Sequence, residues 1–141
     1  MIIANWKCNG SKQMIFTWFK EFVKNYISKE SSYIGIAPPT IYLEYVKRII
    51  SEKSLEIKLG TQDLDAASGA MTGAISAEMI LDYECNFSIV GHSERRQYFN
   101  EKNSFIKEKI HKLIDVATPI LCVGETFEEN KNNLTEEVIS K

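Results

Sequence analysis

Cysteine, proline and glycine are scarce in this chain of 141 residues, with three, three and seven copies, and each scarcity excludes something. Cys8, Cys85 and Cys122 show no C-x-x-C spacing and no accompanying histidine cluster, so neither a disulfide framework nor a zinc ribbon is encoded. An odd, scattered set reads as reduced structural thiols of a cytoplasmic protein, with no metal and no cofactor expected. No Pro/Gly-rich stretch divides the composition, so residues 1–141 read as a single domain. Long apolar runs are missing as well. The opening Met1-Ile2-Ile3-Ala4-Asn5-Trp6-Lys7 reaches polar residues at once, which argues against a secretory segment and a membrane span. The Asn-x-Ser/Thr triplets at Asn9, Asn86 and Asn133 then read as chance matches. Charge of one sign is also absent: 17 Lys+Arg face 19 Asp+Glu without blocks, so neither nucleic acid nor an anionic membrane is an expected partner.

What is present is the composition of a soluble globular protein, 44% hydrophobic and 26% charged. Five short apolar runs stand out: Ile2–Trp6, Tyr33–Ala37, Leu55–Gly60, Phe87–Val90 and Pro119–Val123. They are apolar on both faces, the pattern of parallel strands covered by helices. Between them lie helical stripes. The first runs through Met14/Ile15, Trp18/Phe19, Phe22/Val23 and Tyr26/Ile27, and the second from Pro39-Thr40 through Leu43, Val46, Ile49 and Ile50. A third spans Ser76 to Tyr83 with Ser76 as N-cap, and a fourth carries Phe105, Ile106, Ile110, Leu113 and Ile114. Each stripe reads as core packing. Leu134–Val138 reads as the start of a further helix capped by Thr135, about two turns before Lys141, so the chain is expected to stop early in a fifth helix.

Strand–helix alternation repeated in this way implies a parallel α/β sheet. Two architectures fit: a complete doubly wound sheet, or five-eighths of a (β/α)₈ barrel, whose full size is about 250 residues. Periodicity does not separate them.

The strand ends carry the chemistry in either fold. Lys7 follows the first strand within Asn5-Trp6-Lys7-Cys8-Asn9-Gly10, a cation placed for an anionic ligand. The fourth strand runs into Gly91-His92-Ser93-Glu94-Arg95-Arg96. His92 then stands where a helical turn begins, and a helix N-terminus favours neutral imidazole over imidazolium. Neutral imidazole can donate an N–H to a carbonyl oxygen.

These two motifs resemble the first- and fourth-strand signatures of the triosephosphate isomerases. Gly60-Thr61-Gln62-Asp63, Gly69-Ala70-Met71-Thr72-Gly73 and Cys122-Val123-Gly124-Glu125 are similar to that family in the same order. The resemblance implies the N-terminal portion of a TIM (β/α)₈ barrel and an isomerase of small phosphorylated trioses in glycolysis and gluconeogenesis. It also implies roles: Asn5 and Lys7 bind substrate, His92 is the electrophile, and Glu94 holds the Lys7 ammonium group. The family is a homodimer whose third loop, with Thr72 at its tip, reaches the partner's site. The glutamate that the family commonly has at position 74, pairing with Arg95 across that interface, is Ala74 here.

The family's general base lies in a segment resembling Tyr-Glu-Pro-Val-Trp, and no such segment occurs among these residues. The lid that follows it and the glycine-rich phosphate loops are likewise missing from the sequence. The 141 residues alone are therefore expected to be inactive, and their sheet open, with unpaired edges and an exposed apolar inner face. An alternative is a non-catalytic half-barrel that complements a separate C-terminal polypeptide. A flavodoxin-like domain would require acidic residues after the first strand, where Lys7 stands.

Overall fold

A computed structural model describes residues 1–26 and 33–140. Five strands are present: β1 (Ile2–Asn5), β2 (Ile34–Ala37), β3 (Ile57–Thr61), β4 (Phe87–Val90) and β5 (Thr118–Leu121). All neighbours pair in parallel and the spatial order is β1-β2-β3-β4-β5. A doubly wound sheet reverses its strand order partway. This one never does, and it curls as an incomplete TIM barrel.

The helices are α1 (Lys12–Asn25), α2 (Leu43–Glu52), α3 (Ala77–Asp82), α4 (Ser93–Tyr98), α5 (Asn103–Leu113), α6 (Phe127–Lys131) and α7 (Thr135–Ile139), with a 3₁₀ turn at Thr40–Tyr42 before α2. None is long and apolar enough to cross a membrane among the described residues. Their starts follow local chemistry. Ser11 Oγ accepts from Met14 N at 3.0 Å, and Ser76 Oγ accepts from Met79 N at 3.3 Å. Thr126 and Glu129 form a reciprocal capping box on α6.

The two faces of the sheet differ. On the convex face Ile36, Leu59 and Val90 meet Ile15 and Phe19 of α1, Val46 of α2, Ile80 of α3 and Ile106 and Leu113 of α5 in one buried cluster. The concave face carries no helix residue: Ala37, Phe87 and Ile89 form its centre, with Ile3, Ile120 and Cys122, just past β5, against them. Helices on one face are the barrel's arrangement and not that of a doubly wound sheet.

The concave face corrects one expectation, because its centre is not exposed. Ala37 and Phe87 are 0% exposed and Ile89 is 4% exposed. Phe87 lies across Gly35 and Gly60, and a Cβ on Gly35 would come within 2.8 Å of its ring. Glycine at both positions lets one aromatic ring seal the inner surface. Burying a side chain of that size contributes roughly 1.5–3 kcal/mol.

Other corrections are local. β3 starts at Ile57 and not Leu55, because Leu55 N still bonds Ile50 O at 3.0 Å and Ser54 turns the chain at φ +48°. β5 starts at Thr118, whose N–H reaches Asn86 O at 3.0 Å. Thr135 is not a cap: Leu134 occupies that position without a side-chain bond, and the Thr135 hydroxyl lies 3.3 Å from Glu125 Oε1. Ile27 and Lys141 lie outside the described residues.

Candidate active site

Lys7 follows β1 in the left-handed region, φ +50°, which a non-glycine side chain adopts only when its surroundings hold it there. Two contacts do so. Lys7 N donates to Asn5 Oδ1 at 2.9 Å, and Gln62 Nε2 donates to Lys7 O at 2.9 Å while also reaching Ala37 O at 2.9 Å. Gln62, just past β3, therefore ties the ends of β1 and β2 together. The turn aims the lysine stem across the strand ends, and its Nζ meets Glu94 Oε1 at 2.9 Å.

The β4 side is built with similar economy. Gly91 takes φ +68°, and Arg96 Nε clamps its carbonyl at 2.8 Å. A Cβ there would stand about 3.0 Å from Arg96 Nη2 and from Ile106 Cδ1, so the space is tight, and the positive φ favours glycine. His92 is the N-cap of α4, and its Nδ1 accepts from Glu94 N at 3.2 Å. Glu94 Oε2 also lies 3.3 Å from that nitrogen, which suits a protonated Nδ1 instead. The acceptor reading prevails, since a first-turn N–H otherwise lacks a partner and the Glu94 carboxylate already serves Lys7. With Nδ1 as acceptor, neutral His92 carries its proton on Nε2.

Asn5, Lys7, His92 and Glu94 thus gather at one end of the sheet. The hydrogen bond from Lys7 holds the Glu94 carboxyl below the ordinary range, with the charge of Lys7 adding to it. The lysine and glutamate side chains are 51% and 43% exposed, against 21% for His92. Open to solvent, such a pair adds little stability, and its consequence is the position of the ammonium group.

Thr72 and Arg95 fall elsewhere, on a cleft of about 420 Å³ that Ala74, Gln62 and Asp63 also line. Arg95 is not left without a carboxylate by Ala74. Its Nε lies 2.6 Å from Asp63 Oδ2 and 2.7 Å from Glu101 Oε1, and its guanidinium stands 4.5 Å over the Phe99 ring. Lys109, fully buried, reaches Asp63 at 2.9 Å and Glu101 at 2.7 Å. Sequence reading passed over this four-residue network, although Lys109 stands on the buried face of α5 between Ile106 and Leu113. A lysine inside an apolar stripe was the available sign. No group of three metal-ligating side chains forms among the described residues.

Comparison with known proteins identifies the family. The family model described as triosephosphate isomerase matches residues 1–141. The chain is similar to the triosephosphate isomerases of Vibrio parahaemolyticus, 37% identical, Klebsiella pneumoniae, 38%, and Buchnera aphidicola, 42%. Each match covers 100% of this chain and 55–56% of the relative's length. The chain spans little more than half the length of the curated relatives it matches. With its strand order, its one-sided helical layer and a match along its whole length, the chain belongs to the triosephosphate isomerase family.

Proposed function

We propose that this chain supplies the electrophilic half of a triosephosphate isomerase site, for interconversion of dihydroxyacetone phosphate and glyceraldehyde 3-phosphate. The observation that carries the reading is the His92 imidazole, whose Nδ1 is engaged by the Glu94 N–H at the α4 N-terminus, leaving Nε2 as the donor, while Lys7 is held by the carboxylate of the same Glu94. A neutral imidazole acting as electrophile is this family's established chemistry.

In the proposed step a base removes a proton from the carbon beside the carbonyl, and the electron pair moves onto the carbonyl oxygen. His92 Nε2–H donates to that oxygen, and the Lys7 ammonium group stabilises the negative charge of the resulting enediolate. The proton of the adjacent hydroxyl then passes to that oxygen by way of His92, and return of the carbon-bound proton to the neighbouring carbon gives the isomer, so no atom is gained or lost. Asn5 contributes through its carboxamide, whose oxygen sets the Lys7 turn. Glu94 holds Lys7 from the far side. The substrate phosphate is drawn to the same ammonium group.

None of these residues is the base. That role and most of the phosphate cradle fall to segments outside these 141 residues, so the chain by itself lacks turnover. A positioned base contributes typically about 10²–10⁴-fold. The protein is proposed to act as a cytoplasmic homodimer, with Thr72 in its interface and with neither nucleic acid nor membrane as a partner.

Isomerase assay of the full-length protein tests the reading. Lys7→Met and His92→Gln should each lower kcat/KM by about 10²–10³, the range for removing one oxyanion donor. Turnover insensitive to both substitutions sinks it.

A further inference from the structure

Lys7 depends on two supports, one from the residue that follows β3 and one from the first turn of α4. Gln62 holds its backbone carbonyl and Glu94 its side chain. The residues immediately after these supports, Asp63 and Arg95, meet each other at 2.6 Å. We propose that Asp63 is a positioning residue, whose ion pair with Arg95 fixes the end of β3 against the start of α4 and keeps both supports of Lys7 in register.

The pair is braced from behind. Lys109 reaches both Asp63 oxygens at 2.9 Å and Glu101 at 2.7 Å, and Glu101 in turn meets Arg95 at 2.7 Å. Two cations and two carboxylates balance inside a region where Lys109 is 0%, Glu101 4%, Asp63 18% and Arg95 31% exposed. In such surroundings the loss of one charge is not made good by water, and the remaining groups must shift. The Asp63 carboxyl itself is pushed up by burial, against the pull of Lys109 and Arg95. A shift of β3 relative to α4 moves Gln62 and Glu94 apart, and Lys7 cannot follow both.

Glu94 reports on this directly, because its carboxyl is held down chiefly by the hydrogen bond from Lys7. The inference rests on Lys7 belonging to the site, but the readout is a titration and not turnover. Absent isomerase activity would therefore count against the proposed function and leave this test standing. In the full-length protein with ¹³C-labelled glutamate, Asp63→Asn should move the Glu94 midpoint up toward the ordinary carboxylate range. Asp63→Glu, which keeps the charge, should leave it lower than Asp63→Asn does. Val46→Ala, which loosens the convex core, should leave it unchanged. If Asp63→Asn lowers stability while the Glu94 midpoint stays at its wild-type value, Asp63 is merely structural and the proposal is overturned. Should Asp63→Asn fail to fold, Arg95→Lys takes its place: it keeps the cation but loses the planar fork. A raised Glu94 midpoint then supports the proposal, and an unmoved one overturns it.

Discussion

Lys7 and Lys109 each face a carboxylate at hydrogen-bonding distance, yet they sit in opposite surroundings. Lys7 meets Glu94 at 2.9 Å with its side chain 51% exposed, while Lys109 meets Asp63 at 2.9 Å and Glu101 at 2.7 Å with none of its surface exposed. In water a contact pair of unit charges gains about 1 kcal/mol, and exposed pairs measure about 0–1 kcal/mol. Breaking a buried pair by removing one partner costs about 3–5 kcal/mol, because a charge is stranded. The same chemical pair therefore does two jobs. One lysine is left in reach of a ligand, and the other is spent inside the fold.

The strongest way to break this comparison is Lys109→Met, which strands two carboxylates with Arg95 alone. It should lower the unfolding free energy by about 3–5 kcal/mol in a urea titration. A loss under 1 kcal/mol would place Lys109 with the exposed pairs. Lys7→Met comes next and separates the two jobs: stability within about 1 kcal/mol of wild type, but turnover of the full-length protein down about 10²–10³-fold.

A smaller effect lies in the pH dependence, where the two acids act with opposite sign. Glu94 has its carboxyl held down in the fold, so the stability it contributes is present above the unfolded value and is lost as pH falls through the folded one. Asp63 is raised by burial, so its contribution is present in acid and lost as pH rises through its folded value. The stability difference between wild type and Asp63→Asn should thus shrink as pH rises through the carboxylate range, measured by thermal unfolding at stepped pH. A difference that grows with pH contradicts the assignment. The smallest effect concerns α6, where Thr126→Ala removes one side of the capping box and should lower stability by about 1 kcal/mol, far from either lysine.

Much of this was readable in the sequence because parallel strands and amphipathic helices write period into the chain. All five strands were legible, and β4 at Phe87–Val90 to the residue, since its four positions are all buried. Ends blurred where a residue leaves the strand but keeps a ladder bond: Trp6 N still reaches Ala37 O at 3.1 Å beyond the last residue of β1. The meeting of Lys7 with Glu94 was implied by family likeness and lies at 2.9 Å. Two features stayed hidden for different reasons. The sealing of the concave face depends on Phe87 crossing two glycines on neighbouring strands, Gly35 and Gly60, which no local pattern records. The Asp63–Arg95–Glu101–Lys109 network joins residues up to 46 positions apart, so only the misplaced polarity of Lys109 hinted at it. The box Thr126-x-x-Glu129, by contrast, stood in plain view as a helix start and went unread.

The central claim is that His92 serves as a neutral donor through Nε2, and its tautomer is directly measurable. An ¹⁵N spectrum of the His92 ring in the full-length protein near neutral pH should show a protonated Nε2 and an unprotonated Nδ1 that accepts the Glu94 amide. A proton on Nδ1, turned toward the Glu94 carboxylate 3.3 Å away, would contradict it.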